Sequence, residues 1–285
     1  MNSTTNDPLS PVFWEQYLNR YSKGCKNDPS YQAKIWDKAA TDYDSLETSG
    51  SYQTQIETIL EYLMDKDVLN PDHNILDVAC GTGTYAIRMS PFVKEIDCLD
   101  ISRNMLKRLQ QKAQVLGTTN INTICIDWHN FHPERKYDLV FASMTPILRS
   151  TKSLDRLLSM STKFLAIVFW AGVRKNLLLA YLYKKILNEP YNKKSMDIIS
   201  IFNYYCSLGF RPDLMFFHGE WIRKKSLDEA YENLLWRLEL RRPLSEKEKE
   251  LLVSTIRQKA DGNTINLETK VRIGFMLLSK DTDTC

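Results

Sequence analysis

Short apolar runs alternate with longer periodic ones along most of the chain. Tyr52, Ile56, Ile59, Leu60 and Leu63 recur at helical spacing, and the run Ile75, Leu76, Val78 follows as a strand. Further strands read as 95–100, a segment ending at 125–128, then 137–144 and 165–170. Between them Leu106, Leu109, Ala113 and Leu116 make a helix face closed by Gly117, and Leu154, Leu157 and Leu158 mark another. Strands interleaved with helices predict a parallel α/β sheet. Past Trp170 the pattern predicts helices over 175–187 and 196–208, a sixth strand over 214–225 and a seventh over 269–280. Two helices opening at Ser226 and Ser245 separate those last strands. Each has a Glu three residues on, a capping box in which side chains satisfy free N–H groups of the first turn. The first thirty-odd residues are irregular in pattern but aromatic (Phe13, Trp14, Tyr17, Tyr21), which predicts a segment packing onto the domain.

With 285 residues the chain suits one enlarged domain or a domain with a cap. A net charge of only +3 gives no basic field that would mark nucleic acid as the partner. The polar start lacks the charged-then-apolar pattern of a signal peptide, and the longest apolar run, 164–173, is too short to span a bilayer. Six scattered cysteines without a Cys-x-x-Cys pair fit a reducing compartment. The expectation is a cytoplasmic protein without a membrane partner, its oligomeric state left open.

The chemistry concentrates after the first strand, in ILDVACGTGTYA. Gly81 and Gly83 bend the backbone toward a helix expected to begin near Thr84, and let N–H groups approach a ligand closely. Gly81, Gly83 and Ala86 also fit the fingerprint of dinucleotide-binding folds, where the loop cradles a pyrophosphate. Asp77 decides between ligands. A carboxylate beside a dianion is unfavourable; beside an ammonium group it is favourable. Asp77 therefore argues for a cationic cofactor bearing an amino acid, which S-adenosylmethionine (SAM) fits. Asp100, about 20 residues after the loop, stands where a ribose-binding acid belongs. Asp127 and Trp128 offer an acid and an indole for an adenine.

Over 36–170 the chain resembles the class I SAM-dependent methyltransferases, particularly their small-molecule branch. Asp77, Gly81, Gly83, Asp100 and Asp127 match the binding positions of that family, while Ala79 and Thr84 replace its first and last small residues. The resemblance implies a Rossmann-like α/β fold with a seven-stranded, mostly parallel sheet whose last strand is antiparallel. It makes 36–43 a leading helix that lays Tyr43 over the cofactor, and Ile101, Trp128 and Ser143 complete the expected cofactor-binding set. Domain boundaries follow: an N-terminal helical segment (1–50) on the cofactor site, a SAM-binding core (51–174), and the rest of the sheet with a helical cap (175–285, insertion about 226–266).

Methyl transfer from a sulfonium needs alignment and exclusion of water more than a base. No catalytic residue is accordingly visible at the fourth-strand tip (Ser143, Met144, Thr145, Pro146), which lacks the Asn/Asp-Pro-Pro-aromatic tetrad of nucleic-acid amino methyltransferases. Weak candidates for a base are His218 and Glu220, flanking Gly219 near the end of the sixth strand, and Tyr43. For each there is a plain alternative: solvated strand polars for the first two, helix packing for Tyr43. Asp127 serves equally well as a helix cap and Trp128 as core. Cys125, His129 and His132 suggest a metal, but Pro133 disrupts a helix there and no fourth ligand is evident, so none is expected. The basic clusters 184–185, 193–194, 223–225 and 241–242 read as solvated faces, the alternative being attraction of an anionic substrate. The helices over 175–208 and 226–260 are expected to lie over the carboxyl ends of the strands, near Met144 and Trp170, as a lid admitting a small-molecule acceptor. The alternatives are an RNA or protein methyltransferase with an open basic site, and a non-catalytic SAM- or dinucleotide-binding module.

Overall fold

The strands are β1 (Asn74–Val78), β2 (Glu95–Asp100), β3 (Ile121–Cys125), β4 (Tyr137–Ser143), β5 (Ser161–Lys175), β6 (Asp213–Ser226) and β7 (Thr264–Ser279). In the computed structural model, which describes residues 7–22, 28–40, 43–46, 50–191 and 196–280, they form one sheet in the order β3-β2-β1-β4-β5-β7-β6. Pairing is parallel from β3 through β5, and β7 runs antiparallel to both β5 and β6. The expected seven-stranded, mostly parallel sheet is the observed one.

Side chains alternate across this sheet, so each strand feeds two cores. Ile75, Ile96, Leu139 and Phe141 enter one, with Ile56, Ile59 and Leu63 of a helix from the N-terminal side and Leu109 of the helix after β2. Leu76, Val78, Leu99 and Val140 enter the other, with Leu154 and Leu157 of the helix after β4. The helices are α1 (Pro11–Ser22), α2 (Pro29–Ala39), α3 (Gly50–Asp65), α4 (Ala86–Met89), α5 (Arg103–Val115), α6 (Thr151–Met160), α7 (Leu177–Leu182), α8 (Ile198–Ser207), α9 (Leu227–Glu239) and α10 (Glu246–Lys259).

Several expectations shift. The aromatic N-terminal stretch is helical: α1 buries Leu18 completely and packs Trp14 and Tyr17 on the second core. The leading helix starts at Pro29, with Asp28 as its N-cap, and ends at Ala39; Tyr43 opens a separate 3-10 turn, Tyr43–Leu46. Thr41, Asp42, Lys193, Lys194, Cys25 and Cys285 lie outside the described residues. The helix after the glycine turn begins at Ala86, not Thr84, and lasts one turn. Pro91 removes a backbone donor, and the chain leaves through a 3-10 turn, Ser90–Phe92.

The largest difference lies past Trp170. β5 does not stop there: a register shift around Gly172 (φ +84°) carries it on to Lys175. From its pairing with Ser143 at Val168, it extends roughly 20 Å past the tip of β4, at about 3.3 Å per residue. β6 and β7 run beside it. On this arm sits a third apolar cluster, in which Leu179, Leu182, Leu234, Leu238, Leu252 and Ile256 meet Ile265 and Leu267 of β7. The capping boxes are present: Glu229 and Glu248 carboxylates accept from Ser226 N–H and Ser245 N–H at 2.9 and 2.8 Å. By contrast α8, expected in the cap, is a core helix. Ile198, Ile201 and Tyr205 are buried against the sheet, and Tyr205 Oη donates to Leu154 O at 2.9 Å. Its apolar face reads the same in sequence whichever surface it covers.

Candidate active site

A cavity of about 320 Å³ opens at the carboxyl ends of the parallel strands, where ligands bind in open α/β sheets. Its size lies at the small end of the range for ligand pockets. The turn after β1 forms one wall. Ala79 (φ +56°) and Gly81 (φ +58°) both take left-handed conformations and line it. For Ala79 that conformation costs roughly 1–2 kcal/mol. Met144, at the tip of β4, is likewise left-handed (φ +53°) and lines the same cavity. Strain of this kind persists where the surroundings impose it, and it clusters at working sites. Gly83 (φ +78°) is different: it does not line the cavity, and a Cβ there would stand 2.1 Å from Leu109 Cδ1. Its work is to let the turn close on α5.

Asp100 is 8% exposed at the end of β2 and lines the cavity. One carboxylate oxygen accepts from Gly81 N–H at 2.9 Å and the other from Ser102 N–H at 2.8 Å. It thus ties the turn to the start of α5. A carboxylate has about four acceptor positions, so two remain for a diol. Burial raises its pKa, and the hydrogen bonds from Ser102 and Gly81 oppose that rise. Asp77 lies lower, on β1: it is 2% exposed and makes no side-chain hydrogen bond among the described residues. Burial, and then the nearby Asp100, push its pKa up to about 8. It does not line the cavity. A buried, unpaired carboxyl beneath the turn is a group that an ammonium-bearing ligand would return to its charged form.

Across the cavity, Asp127 caps the 3-10 turn Trp128–Asn130 by accepting from His129 N–H at 2.6 Å, and it lines the cavity as well. Capping leaves its second oxygen for a ligand. Trp128 is both core and wall. It is 4% exposed, stacked under the Arg156 guanidinium at 4.6 Å, and present in the lining. Ile101 and Ser143 line the cavity too, and Tyr43 covers the turn, its ring 3.4 Å from where a Gly81 Cβ would stand.

The cover was only partly legible. Pro29, Gln32 and Trp36 of α2 line the cavity beside Tyr43. Two carboxylates dock this segment. Asp37 accepts from Ser102 Oγ at 2.6 Å and from Asn104 N–H at 3.0 Å, while Asp44 accepts from Lys112 Nζ at 2.7 Å and from Thr82 Oγ1. Their partners lie 38 to 68 residues away along the chain, so no local pattern reveals them. No residue of 175–191 or 196–280 lines the cavity. α9 stands behind the cover, Trp236 meeting Trp36 edge-on at 6.4 Å. His218 and Glu220 are not brought to the site. They lie exposed in the middle of the edge strand β6, not near its end, with Glu220 3.7 Å from Lys270. Trp170 also stays outside, packed on Trp221 at 5.6 Å. No group of His, Cys, Asp and Glu able to hold a metal occurs among the described residues. No helix there is long and apolar enough to cross a membrane.

Comparison with known proteins agrees with this geometry. Residues 75–166 match the family described as Methyltransferase domain. Malonyl-[acyl-carrier protein] O-methyltransferase 1 of Ilyobacter polytropus is 43% identical over 77 residues, 26% of this chain and 27% of that protein. Demethylmenaquinone methyltransferase of Geobacillus kaustophilus is 30% identical over 94 residues, 32% of this chain and 40% of that one. The chain thus spans about a quarter to two fifths of the length of these curated relatives. Among solved structures, magnesium protoporphyrin IX methyltransferase from Synechocystis, with bound S-adenosylhomocysteine (SAH), superposes with a TM-score of 0.55 at 20% identity, covering 67% of this chain and 93% of that one. A methyltransferase fold from Bacillus halodurans gives 0.52 at 16% identity, covering 78% and 99%. At such identities the likeness speaks for the fold.

Proposed function

We propose that the chain, whose residues 75–166 match a methyltransferase domain, is a SAM-dependent enzyme that transfers the cofactor's methyl group to a small-molecule acceptor. One observation carries the proposal. A covered cavity at the carboxyl ends of the strands gathers two carboxylates, a left-handed turn and an indole, groups that suit a ribose, an amino acid and an adenine. The residues present fit the cofactor. Asp100 has acceptor capacity left for two ribose hydroxyls, Asp127 has one open oxygen for an amino group, and Asp77 is a buried carboxyl lacking a partner.

Bound SAM supplies a methyl group on a positive sulfur, a carbon already activated for in-line displacement. The chain's own residues then orient and exclude water. The turn fixes the amino-acid end, Asp100 and Asp127 fix the nucleoside, and α2 with Tyr43 closes the outer side. Such positioning is the main requirement of this chemistry, which is consistent with His218 and Glu220 standing far from the cavity. The helical arm contributes by backing α2 through Trp236, a lid acting at one remove. A cavity of this size beneath a helix favours a small acceptor over folded RNA or protein.

The test is calorimetry with SAM, SAH and NAD, followed by transfer of radiolabelled methyl to a metabolite extract and to RNA. Micromolar SAH binding, no NAD binding and label in small molecules are expected. Label confined to RNA, or binding without transfer, would select one of the other readings.

A further inference from the structure

Resting on the reading just given, we infer that the acceptor is an anion whose carboxylate or phosphate oxygens are held by Arg149, the Ser153 hydroxyl and the N-terminus of α6. Arg149 ends the 3-10 turn Pro146–Arg149 that follows the tip of β4, and lines the cavity with Ser150 and Ser153. Unlike the other arginine near this wall, it is unengaged. Arg156 donates to Trp128 O at 2.7 Å and to Phe131 O, whereas Arg149 makes no hydrogen bond, ion pair or ring contact among the described residues. A half-buried guanidinium, with a rigid fork of donors suited to carboxylate and phosphate, is thus left facing a ligand cavity.

The backbone behind it has the same polarity. α6 is ten residues long, and its N-cap, Ser150, accepts from Ser153 N–H. The partial positive charge of its first turn lies at the cavity wall beside Arg149. An independent observation concerns Ser153. It is 6% exposed and lines the cavity, yet its hydroxyl has no partner among the described residues. That hydroxyl stays accessible from the cavity, so a ligand there can supply the partner that the protein does not. Of the acidic groups nearby, Asp155 accepts from Tyr204 Oη at 2.6 Å, and Asp127, which lines the same cavity, caps its own turn with one oxygen. The nucleoside carboxylate Asp100 stands on β2, across the β1 turn from this wall. Arg149, Ser153 and the helix terminus therefore form a cationic corner on the β4 side of the cavity, with Asp100 on the far side of the β1 turn.

The test titrates the SAH-saturated protein with inorganic phosphate, propionate and propionamide by calorimetry, and repeats this with Arg149→Gln, Arg149→Lys and Ser153→Ala. The expected result is saturable binding of one or both anions and none of the amide. Arg149→Gln should weaken it at least tenfold, Ser153→Ala severalfold, and Arg149→Lys less than Arg149→Gln, with SAH affinity changed by less than threefold. Phosphate binding without propionate binding assigns a phosphorylated acceptor, and the reverse assigns a carboxylic acid. Absence of saturable anion binding to the SAH-loaded wild type overturns the inference. A tenfold loss of SAH affinity in Arg149→Gln also overturns it, by giving Arg149 to the cofactor's own carboxylate. Failure of the wild type to bind SAH defeats the methyltransferase reading instead, and the same titration of the free protein then judges the anion corner alone. Circular dichroism melts confirm that each variant is folded.

Discussion

The cofactor half of the sheet and the arm beyond it are built on opposite principles. In the first, β1 to β4 are short, and their tips carry what folding disfavours: left-handed Ala79 and Met144, a buried unpaired Asp77, and Asp100 stretched between two N–H groups. In the second, β5, β6 and β7 run 15, 14 and 16 residues, helices begin with capping boxes, and Leu234, Leu238, Leu252 and Ile256 pack an ordinary apolar cluster. Gly262, left-handed at φ +59° in the arm, has open space around it, whereas Gly83 is jammed against Leu109. The difference separates cost from benefit. Strain and buried charge gather where a ligand repays them, and the arm supplies conventional stability beside them.

The sharpest way to break this comparison is to add one methyl group in each half. Gly83→Ala forces a Cβ into Leu109 in a left-handed backbone, at roughly 1–3 kcal/mol for overpacking and about 1–2 kcal/mol for the conformation. Gly262→Ala meets only the second cost. Thermal melts should show a large drop for the first and a small one for the second; equal drops would remove the packing role given to Gly83.

Next in size is Asp100→Asn. The variant loses a charged acceptor toward a diol, and hydrogen bonds to charged groups contribute about 1.5–3 kcal/mol. SAH affinity should fall at least tenfold by calorimetry. The melting temperature should fall as well, because Asp100 also holds Gly81 and Ser102. Glu248→Gln, which loosens an Arg242 contact of 2.7 Å in the arm, should leave SAH affinity within twofold.

These contrasts also bear on what the sequence makes legible. β1, β2, β4 and the glycine turn are read from local apolar runs and punctuation, because those strands are largely buried on both faces, whereas β3 lies at the edge and is only partly buried. Asp100 is legible from its spacing after the turn, and Asp127 from its place at the end of the third strand and its match to the family's binding positions. β6 is legible almost to the residue, whereas β5 and β7 run about five residues past the expected 170 and before the expected 269, where alternating exposed positions break the continuous apolar signal. α8 was misplaced because amphipathicity does not name the surface it covers. Arg149 and Asp37 were missed for a related reason: a single charged residue acquires meaning from partners, or their absence, that only folding brings near.

Asp77 gives a smaller, pH-dependent effect. Its folded pKa, about 8, lies above the ordinary value of 3.8. The stability its neutral form contributes is therefore complete below 3.8 and lost as pH rises through about 8. An ammonium ligand favours the ionised form, so binding should expel a proton near pH 7. SAH affinity should then increase with pH between roughly 6 and 8, approaching tenfold per pH unit. Calorimetry in two buffers of different ionisation enthalpy measures that proton. Asp77→Asn should abolish both the release and the slope. A wild type releasing no proton would place the cofactor's amino group elsewhere.

The smallest expected effect concerns the aromatic contact by which α9 of the arm meets the cofactor cover, beside an exposed ion pair of Lys38 with Glu232 at 3.2 Å. Trp36 lines the cavity, and Trp236 stands behind it without touching the cavity. An edge-to-face aromatic pair is worth about 0.5–1.5 kcal/mol beyond burial. α2 keeps its other anchors in Trp236→Ala, since Asp37 still accepts from Ser102 and Asn104. The Trp236 indole N–H makes no hydrogen bond, so its removal leaves no orphaned partner. The melting temperature should therefore change little. SAH affinity should fall two- to tenfold, the equivalent of that aromatic energy, with the loss in the dissociation rate, because a looser cover opens more often while the turn and Asp100 still receive the ligand. Stopped-flow exchange of SAH measures it directly. An unchanged dissociation rate would make the arm a neighbour of the cofactor half and nothing more. A faster one would mean that the conventional half of the molecule steadies the strained half through the Trp236 indole, beyond the exposed Lys38–Glu232 ion pair that also joins α2 to α9.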